Sequence, residues 1–583
     1  MSKSILGKKW SQRPSNDNLV QQLVQRLGIS EVIARLLNSR GITLEQTESF
    51  LSPKIKDLLP DPFHLKDMDK GVSRVIEAIT RGDSICIFGD YDVDGATSSA
   101  LLKRFFRDIN IDVMVYIPDR IKEGYGPSAE IMRALKAKAV DLVITVDCGA
   151  MAFDALSAAK DISLDVIVLD HHIGGAELPE GVAIINPNRL DELSEYRYLA
   201  AVGVSFLFIV ALVSKLKTIG FFNDKPCPDI LQYLDLVALG TVCDVMPLIG
   251  LNRAFVAQGL KIMAKRNNIG LRILSDMARL DSVPTCYHLG YVIGPRINAG
   301  GRVGRSDLGS NLLSTTSEDE AHNIALELER YNAERKEIEN HLLQEALGEA
   351  ERQSHRNVIV IAGQGWHPGV IGIIAGRVKE KYQKPTAIIA VNDGIGKASC
   401  RSVKGVNFGA KIVDAKLQGI LEDGGGHAMA AGFSIKEENI AQLHDFLDQT
   451  MAAEYNDFLV NYSSEYDAEL TTSSLTLDLV HEINKLAPFG NGNYEPVVRI
   501  DDLFVINANV VGEKHISALL APTQTAYGSK AIKAIAFNST DNDLGALLIK
   551  SRSKISIIGH LQINKWNDRD NLQIIIHDVI TEG

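Results

Sequence analysis

The 583-residue sequence predicts an α/β protein built from a parallel-sheet domain, a long connector helix, a smaller α/β domain and a C-terminal β-barrel. Three observations carry that prediction. Between Ser84 and Leu169, short apolar runs alternate with segments of helical spacing, the pattern of a parallel sheet with helices on both faces. From Ser317 to Arg352 the chain is charged and helical in period, enough for about 50 Å at about 1.5 Å per residue. From Glu465 onward, short alternating strands dominate.

Residues 1–75 read as a helical lead-in, broken by Pro53, Pro60 and Pro62. The sheet domain, 76–315, opens with the strand Ser84–Gly89 (SICIFG). Helix Ala96–Ile109, strand Ile111–Ile117, helix Ser128–Ala139 and strand Asp141–Val146 follow, then helix Ala150–Lys160 and strand Asp165–Leu169. Leu199–Val213 is uncharged but shorter than the ~20 residues a membrane span needs, so a buried helix is expected. Residues 316–354 form the connector. Residues 355–455 form the second α/β domain, with strands at Val358–Ala362 and Ala387–Val391 and a Gly-rich turn at Gly424–Gly426. The barrel occupies 465–583, with strands such as Lys554–Ile558 and Leu572–Ile576. No internal repeat or low-complexity segment interrupts this order.

Composition is ordinary for a soluble chain, 45% hydrophobic and 23% charged. Six scattered cysteines without a C-x-x-C pair argue against a disulfide framework and a zinc knuckle. No apolar stretch follows Lys3, Lys8 and Lys9, so a cytoplasmic location is expected. The net charge of −12 argues weakly against nucleic acid, whose binders tend to be basic. An acidic total can still hide a local basic groove, and carboxylates that hold metal ions count as negative although the ions offset them.

The strands end in acids. Asp90 follows SICIFG, Asp147 follows DLVITV and Asp170 follows DVIVL. In an open parallel sheet the carboxyl ends of the strands line the ligand crevice. Like charges brought that close either protonate or recruit cations. The first acid opens the run Asp90-Tyr91-Asp92-Val93-Asp94-Gly95, and the third continues as Asp170-His171-His172. A lone D-x-D is ordinarily a turn or a helix cap, and a lone His-His pair is ordinarily structural. A calcium loop would need a downstream Glu at EF-hand spacing, which is missing. Their joint occurrence at successive strand ends points to a metal site. Mixed carboxylate and imidazole ligands suit Mn²⁺ foremost, then Mg²⁺ or Zn²⁺. Two such ions bridged by one carboxylate suit phosphate-ester hydrolysis.

Asp90–Gly95 (DYDVDG), Val146–Gly149 (VDCG) and Asp170–His172 (DHH) resemble the motifs of the DHH phosphoesterase superfamily. Leu236–Pro247 (LVALGTVCDVMP) is similar to the segment carrying that family's fourth acid, here Asp244. Order and spacing look like the RecJ branch, the single-strand-specific 5′→3′ DNA exonucleases, from about Phe88 to the C-terminus. The resemblance implies metal ligation by Asp92, Asp94, Asp147, His171 and Asp244, with Asp147 as the bridge of two divalent cations. It implies that Asp90 and Asp170 orient ligands and that His172 faces the scissile phosphate. Many relatives place a histidine where this chain has Phe88, a departure that resembles the RecJ branch.

The same resemblance implies substrate-holding roles for Arg120 in PDRIKEGYG, for Arg296 and Arg302 in GPRINAGGR, and for Ser399 and Arg401 in ASCRS. Guanidinium forks match phosphate geometry, so these residues imply a pocket for a terminal 5′-phosphate. Gly365–Gly376 and Gly425–Gly432 resemble the signatures of the DHHA1 domain, with His427 and His367 as candidate nucleic-acid contacts. The C-terminal region, including Ala487–Gly492, resembles an OB-fold. Its aromatics Trp566, Phe489 and Tyr494 are stacking candidates, with core packing the commoner role.

The implied partner is single-stranded DNA with a 5′ end, acted on by a monomer with no membrane partner. A single-strand binding protein and a helicase are the further partner classes, and DNA recombination and repair the implied setting. Two rival functions remain on sequence grounds. One is a small-substrate phosphodiesterase acting on short oligonucleotides or cyclic dinucleotides. The other is a non-catalytic single-strand-binding scaffold, which ought to have lost ligands that are intact here.

Overall fold

The computed structural model describes residues 4–120, 122–523, 531–551, 554–566 and 569–581. They form two compact units. The larger comprises 62–244 and 262–462; the smaller comprises residues up to 61, 245–261 and those from 463 on.

The larger unit begins around a five-stranded, all-parallel sheet. Its strands are β1 (Ile85–Gly89), β2 (Met114–Tyr116), β3 (Leu142–Val146), β4 (Asp165–Leu169) and β5 (Ala183–Ile185), in the order β2-β1-β3-β4-β5. Strands β1 and β3 are buried throughout, as expected for continuous apolar runs covered by helices on both faces. The strand order reverses between β1 and β3, which opens a crevice at their carboxyl ends. Asp90 and Asp147 are the first residues past those two strands.

The helices follow the expected alternation with shifted ends. Helix α1 (Val93–Asp108) starts three residues earlier than its periodicity suggests, because Asp92 caps it. Its Oδ1 accepts from the backbone N–H of Asp94 at 2.8 Å and of Gly95 at 3.1 Å. Helices α2 (Ala129–Ala137) and α3 (Phe153–Asp161) complete the sheet's βαβ units. The apolar run after Leu199 becomes α4 (Ala201–Thr218), a helix mostly buried on all sides. Helices α5 (Leu234–Cys243) and α6 (Gly294–Val303) follow, the latter entered through a π-helical turn, His288–Ile293.

The connector is α7 (Glu318–Arg352), a single helix of 35 residues capped by Ser317. Beyond it, β6 (Ile359–Gln364), α8 (Ile371–Tyr382), β7 (Thr386–Asn392), β8 (Ile395–Arg401), α9 (Phe408–Leu417), β9 (Asp423–His427), β10 (Ala430–Lys436) and α10 (Ile440–Asn461) form the second α/β layer. Its sheet runs β9-β10-β8-β7-β6, with β6 and β7 parallel and the rest antiparallel.

In the smaller unit, Val498–Val511, His515–Ala521, Ile532–Ala536, Arg569–Thr581 and Ile555–Trp566 pair in that order, and the last pairs back to the first. That closure removes the sheet's edges and makes the expected barrel. The lead-in divides. Residues 4–61 join the barrel's unit, and Met68–Arg81 belongs to the sheet domain. Trp10–Gln12 pairs in parallel with Ser464–Tyr466, and Val20, Leu23, Leu36 and Leu37 share a core with Val480, Val498 and Leu520. Helical periodicity shows that a face is apolar and not what covers it, so this partnership across the chain was illegible in the sequence.

Candidate metal centre

The crevice between β1 and β3 gathers the predicted acids and imidazoles. Asp90 ends β1 and leads through Tyr91 into the cap residue Asp92. The turn is tight: a Cβ at Gly95 would stand 2.4 Å from the Asp90 carbonyl oxygen, so only glycine fits there. In the first turn of α1, Asp94 is 1% exposed, and its two oxygens accept from the N–H groups of Ala201 (2.7 Å) and Val202 (3.0 Å). Its carboxylate thereby caps α4, whose positive end favours the charge. Asp147 follows β3 with a left-handed backbone, φ 60°, a conformation costly for a non-glycine residue and typical of functional sites.

His171 joins these groups. Its Nε2 lies 3.2 Å from Asp147 Oδ1, 3.5 Å from Asp244 Oδ2 and 3.8 Å from Asp94 Oδ2. Three overlapping sets could each hold a cation: Asp90, Asp92 and Asp147; Asp94, His171 and Asp244; Asp147, His171 and His172. Within each set the ligand atoms fall within 4.8 Å of one another. Asp147 belongs to the first and third of these sets, and His171 to the second and third. Asp90 differs from its expected supporting role. Its Oδ1 is buried without a protein partner and groups with the oxygens of Asp92 and Asp147. That geometry suits a direct ligand.

The electrostatics of the metal-free chain point the same way. Burial, with the neighbouring Asp92 charge, pushes Asp90 and Asp94 each up to about 7. Burial and then Asp94 and Asp92 push Asp244 up to about 9, and burial with the surrounding acids raises Asp147 well above the carboxylate range. His171 moves down to about 4, through burial and the neighbouring His172, so it stays neutral with a lone pair available. Asp90 Oδ1, His171 Nε2 and Asp244 Oδ2 are all buried without a hydrogen-bond partner. Orphaned acceptors converging on one point, among acids that cannot all ionise together, fit divalent cations.

Asp170 is built differently. It accepts from the N–H groups of Ala150 (2.9 Å), His171 (2.7 Å) and His172 (3.1 Å), and lies 2.8 Å from His172 Nδ1. Burial alone would raise it, but the His172 hydrogen bond and charge hold it down at about 2. In return, burial would lower His172, but Asp170 holds it up at about 9, so it is an imidazolium at neutral pH. Asp170 thus holds His172 in its charged form, and the half-exposed ring of His172 carries that charge beside the crevice. Asp170→Asn is expected to reduce kcat about 10- to 100-fold and to lower the pKa of the alkaline limb, set by His172, in the pH–rate profile.

Sequence reasoning missed Tyr125. Its hydroxyl donates to the Asp147 carbonyl oxygen at 3.1 Å, and its ring lies edge-on to His172 at 6.0 Å. The aromatic between two glycines in Glu123–Gly126 was the available signal.

The cationic candidates fall into two groups. Arg120 lies 5.0 Å over the ring of Tyr91, between Asp90 and Asp92. Arg302 donates to the carbonyl of Gly369 at 2.8 Å, three residues before Gly372 at the start of α8. A Cβ on Gly372 would stand 3.0 Å from Ser399 Oγ and 3.3 Å from Arg401 Nη2, so Ser399 and Arg401 face that helix start. His427 pairs with Ala430, which pairs with Arg401. One register row therefore places His427 and Arg401 on one face, about 10 Å apart. His427 is exposed there. His367 accepts from the Gly369 N–H at 3.1 Å, an interaction that shapes the turn.

Arg296 does not join them. Its guanidinium is bonded to Glu329 (2.6 and 3.3 Å) and to the Val292 carbonyl (2.8 Å), which ties α6 to α7. Its donors are engaged in holding helices, so a substrate role is withdrawn. In the barrel unit, Phe489 packs against the core and Tyr494 is exposed, while the side chain of Trp566 lies outside the described residues.

Comparison with known proteins matches residues 84–241 to the DHH family, N-terminal domain; 355–453 to the DHHA1 domain; and 466–578 to the RecJ OB domain. The single-stranded-DNA-specific exonuclease RecJ of Bacillus subtilis (strain 168) is 34% identical over 582 residues, covering 98% of this chain and 70% of that protein. The protein of the same name from Escherichia coli (strain K12) is 33% identical, covering 94% and 95%. The crystal structure of RecJ in complex with Mn²⁺ from Thermus thermophilus is 27% identical with a TM-score of 0.78, covering 99% of this chain and 79% of that one. A crystal structure of exonuclease RecJ bound to manganese is 33% identical with a TM-score of 0.57, covering 68% and 96%.

Proposed function

We infer the activity from a plain premise: this chain belongs to the RecJ family of single-stranded-DNA-specific exonucleases. It hydrolyses phosphodiester bonds in single-stranded DNA from the 5′ end, releasing 5′-mononucleotides, in DNA recombination and repair. The convergence of Asp90, Asp92, Asp94, Asp147, His171 and Asp244 on one crevice, with orphaned buried ligand atoms, is the observation that carries this reading.

Those six side chains would hold two divalent cations, Mn²⁺ or Mg²⁺. Bound there, the ions supply Lewis acidity and a water of lowered pKa. The chain's own groups do the rest. Asp94 is fixed by its cap on α4, and His171 stays neutral by burial, so both ligands are in place before a cation arrives. His172, held as an imidazolium by Asp170, stabilises negative charge developing on the scissile phosphate. Arg120, Arg302, Ser399 and Arg401 hold the terminal 5′-phosphate and so set the direction of digestion. His427 extends that row along the strand. Association with a single-strand binding protein and a helicase, and action as a monomer, belong to the same proposal.

The test uses one oligonucleotide labelled at either end, with Mn²⁺. The expected result is immediate release of a labelled mononucleotide from the 5′-labelled strand and a descending ladder from the 3′-labelled strand. Single-strand binding without turnover in either metal would overturn the reading in favour of a scaffold.

A further inference from the structure

Helix α7 buries one stripe along its length. It runs through Ala321, Ala325 and Leu328, then Asn332, Arg335 and Glu339, then Leu342, Ala346 and Ala350. Steps of three and four are what a helix needs to keep one face inward. The three central positions are polar all the same, and they are 1%, 7% and 8% exposed. Arg335 donates from Nη1 to Glu339 at 2.6 Å and from Nη2 to Asn332 Oδ1 at 3.0 Å. Those bonds leave Arg335 Nε and Asn332 Nδ2 as buried donors without a protein acceptor. The other oxygen of Glu339 lies 3.7 Å from Arg377 on α8. An unmet buried donor is costly, and leucine or methionine would simply have continued the stripe.

The neighbourhood identifies the kind of acceptor. Helix α6 ends against α7 just before this window: a Cβ at Gly304 would fall 2.3 Å from the Tyr331 ring. Two residues earlier, Arg302 turns towards Gly369. Burial, then the charges of Arg120 and Arg335, lower Arg302 to about 10, a mark of cations crowded together. Arg120 and Arg335 are the cations that act on Arg302, and Asp92 is the acid that opposes them. Surplus positive charge with free buried donors selects an anion that presents several oxygens.

We propose that Asn332 and Arg335 form the buried wall of an anion site behind Arg302, whose ligand is the terminal phosphate monoester of the strand. This rests on the exonuclease reading and deepens it, because the connector helix then takes part in recognising the 5′ end.

The test compares Arg335→Met and Arg335→Lys with wild type in the full chain. Arg335→Met leaves the buried Glu339 carboxylate and Asn332 Oδ1 without their donor, so it should melt lower than wild type, and the kinetic readouts compare the two strand types on the folded protein. Its KM for 5′-phosphorylated single strands should rise about 10- to 100-fold, the value of one charge-assisted hydrogen bond, with kcat nearly unchanged. Its KM for 5′-hydroxyl strands should not move. Arg335→Lys keeps the charge without the fork and should fall between. Inorganic phosphate should protect the metal-free wild type from thermal unfolding and leave Arg335→Met unprotected. Equal losses on both strand types, or equal protection by phosphate, would show a purely structural residue and overturn the site. Wild type that digests neither strand type would refute the exonuclease reading alone, and phosphate protection would still decide the site.

Discussion

Asp147→Asn is expected to abolish hydrolysis while leaving the chain folded. The carboxylate belongs to two of the three ligand sets, so its loss weakens both of those at once. The amide keeps the shape, and the left-handed backbone at this position tolerates asparagine at least as well as aspartate. Loss of the shared ligand should lower kcat roughly 10³-fold or more. Stability of the metal-free chain should rise, because a buried carboxyl among like charges has been neutralised. Steady-state digestion of single-stranded DNA and thermal melts in a chelator read the two effects separately. Undiminished activity would remove Asp147 from the centre.

The second large effect is a pH-dependent stability that divalent metal cancels. Asp90 and Asp94 are pushed up to about 7 and Asp244 to about 9 in the metal-free chain, against roughly 3.9 unfolded. A carboxyl raised in the folded state binds its proton more readily there. Its stabilising contribution is therefore full below about pH 4 and is lost as pH rises through 7 for the first two and 9 for the third. Asp170, held down at about 2, runs the other way: its contribution is present above pH 4 and is lost only as pH falls through 2. Between pH 6 and 9 the raised acids dominate. The Tm of chelated protein should fall across that window, on the order of 10 °C, and Mn²⁺ should abolish most of the fall. A flat or rising Tm in chelator would contradict the crowding of these acids.

Much of this centre was legible because β-strands deliver their acids to one edge. Asp90, Asp147 and Asp170 each follow a short apolar run, and parallel pairing makes those three positions neighbours. The DYDVDG turn was legible for a local reason, since Asp92 caps the helix it opens and Gly95 permits the tight approach. What remained hidden depends on contacts between distant segments. Arg296 resembles a phosphate ligand in its motif, but Glu329 lies across from it on another helix. Asp90 reads as a supporting acid until its orphaned oxygen is seen among ligand atoms. The window at Asn332, Arg335 and Glu339 was hidden by charge, because α7 is so rich in ionised residues that three more stand out only once its buried stripe is known. Tyr125 was missed because an aromatic in a glycine turn gives no periodic signal.

On the proposed reading, these acids and His171 would hold two cations, with Asp147 in reach of both. Equilibrium binding of Mn²⁺, followed by the loss of the free-ion electron paramagnetic resonance signal at pH 8, tests it most directly. Two equivalents bound per chain by wild type, with spin coupling between them, and no coupled pair in Asp147→Asn is the predicted outcome. Stoichiometric binding that is unchanged by Asp147→Asn, or no binding to wild type at all, would contradict it.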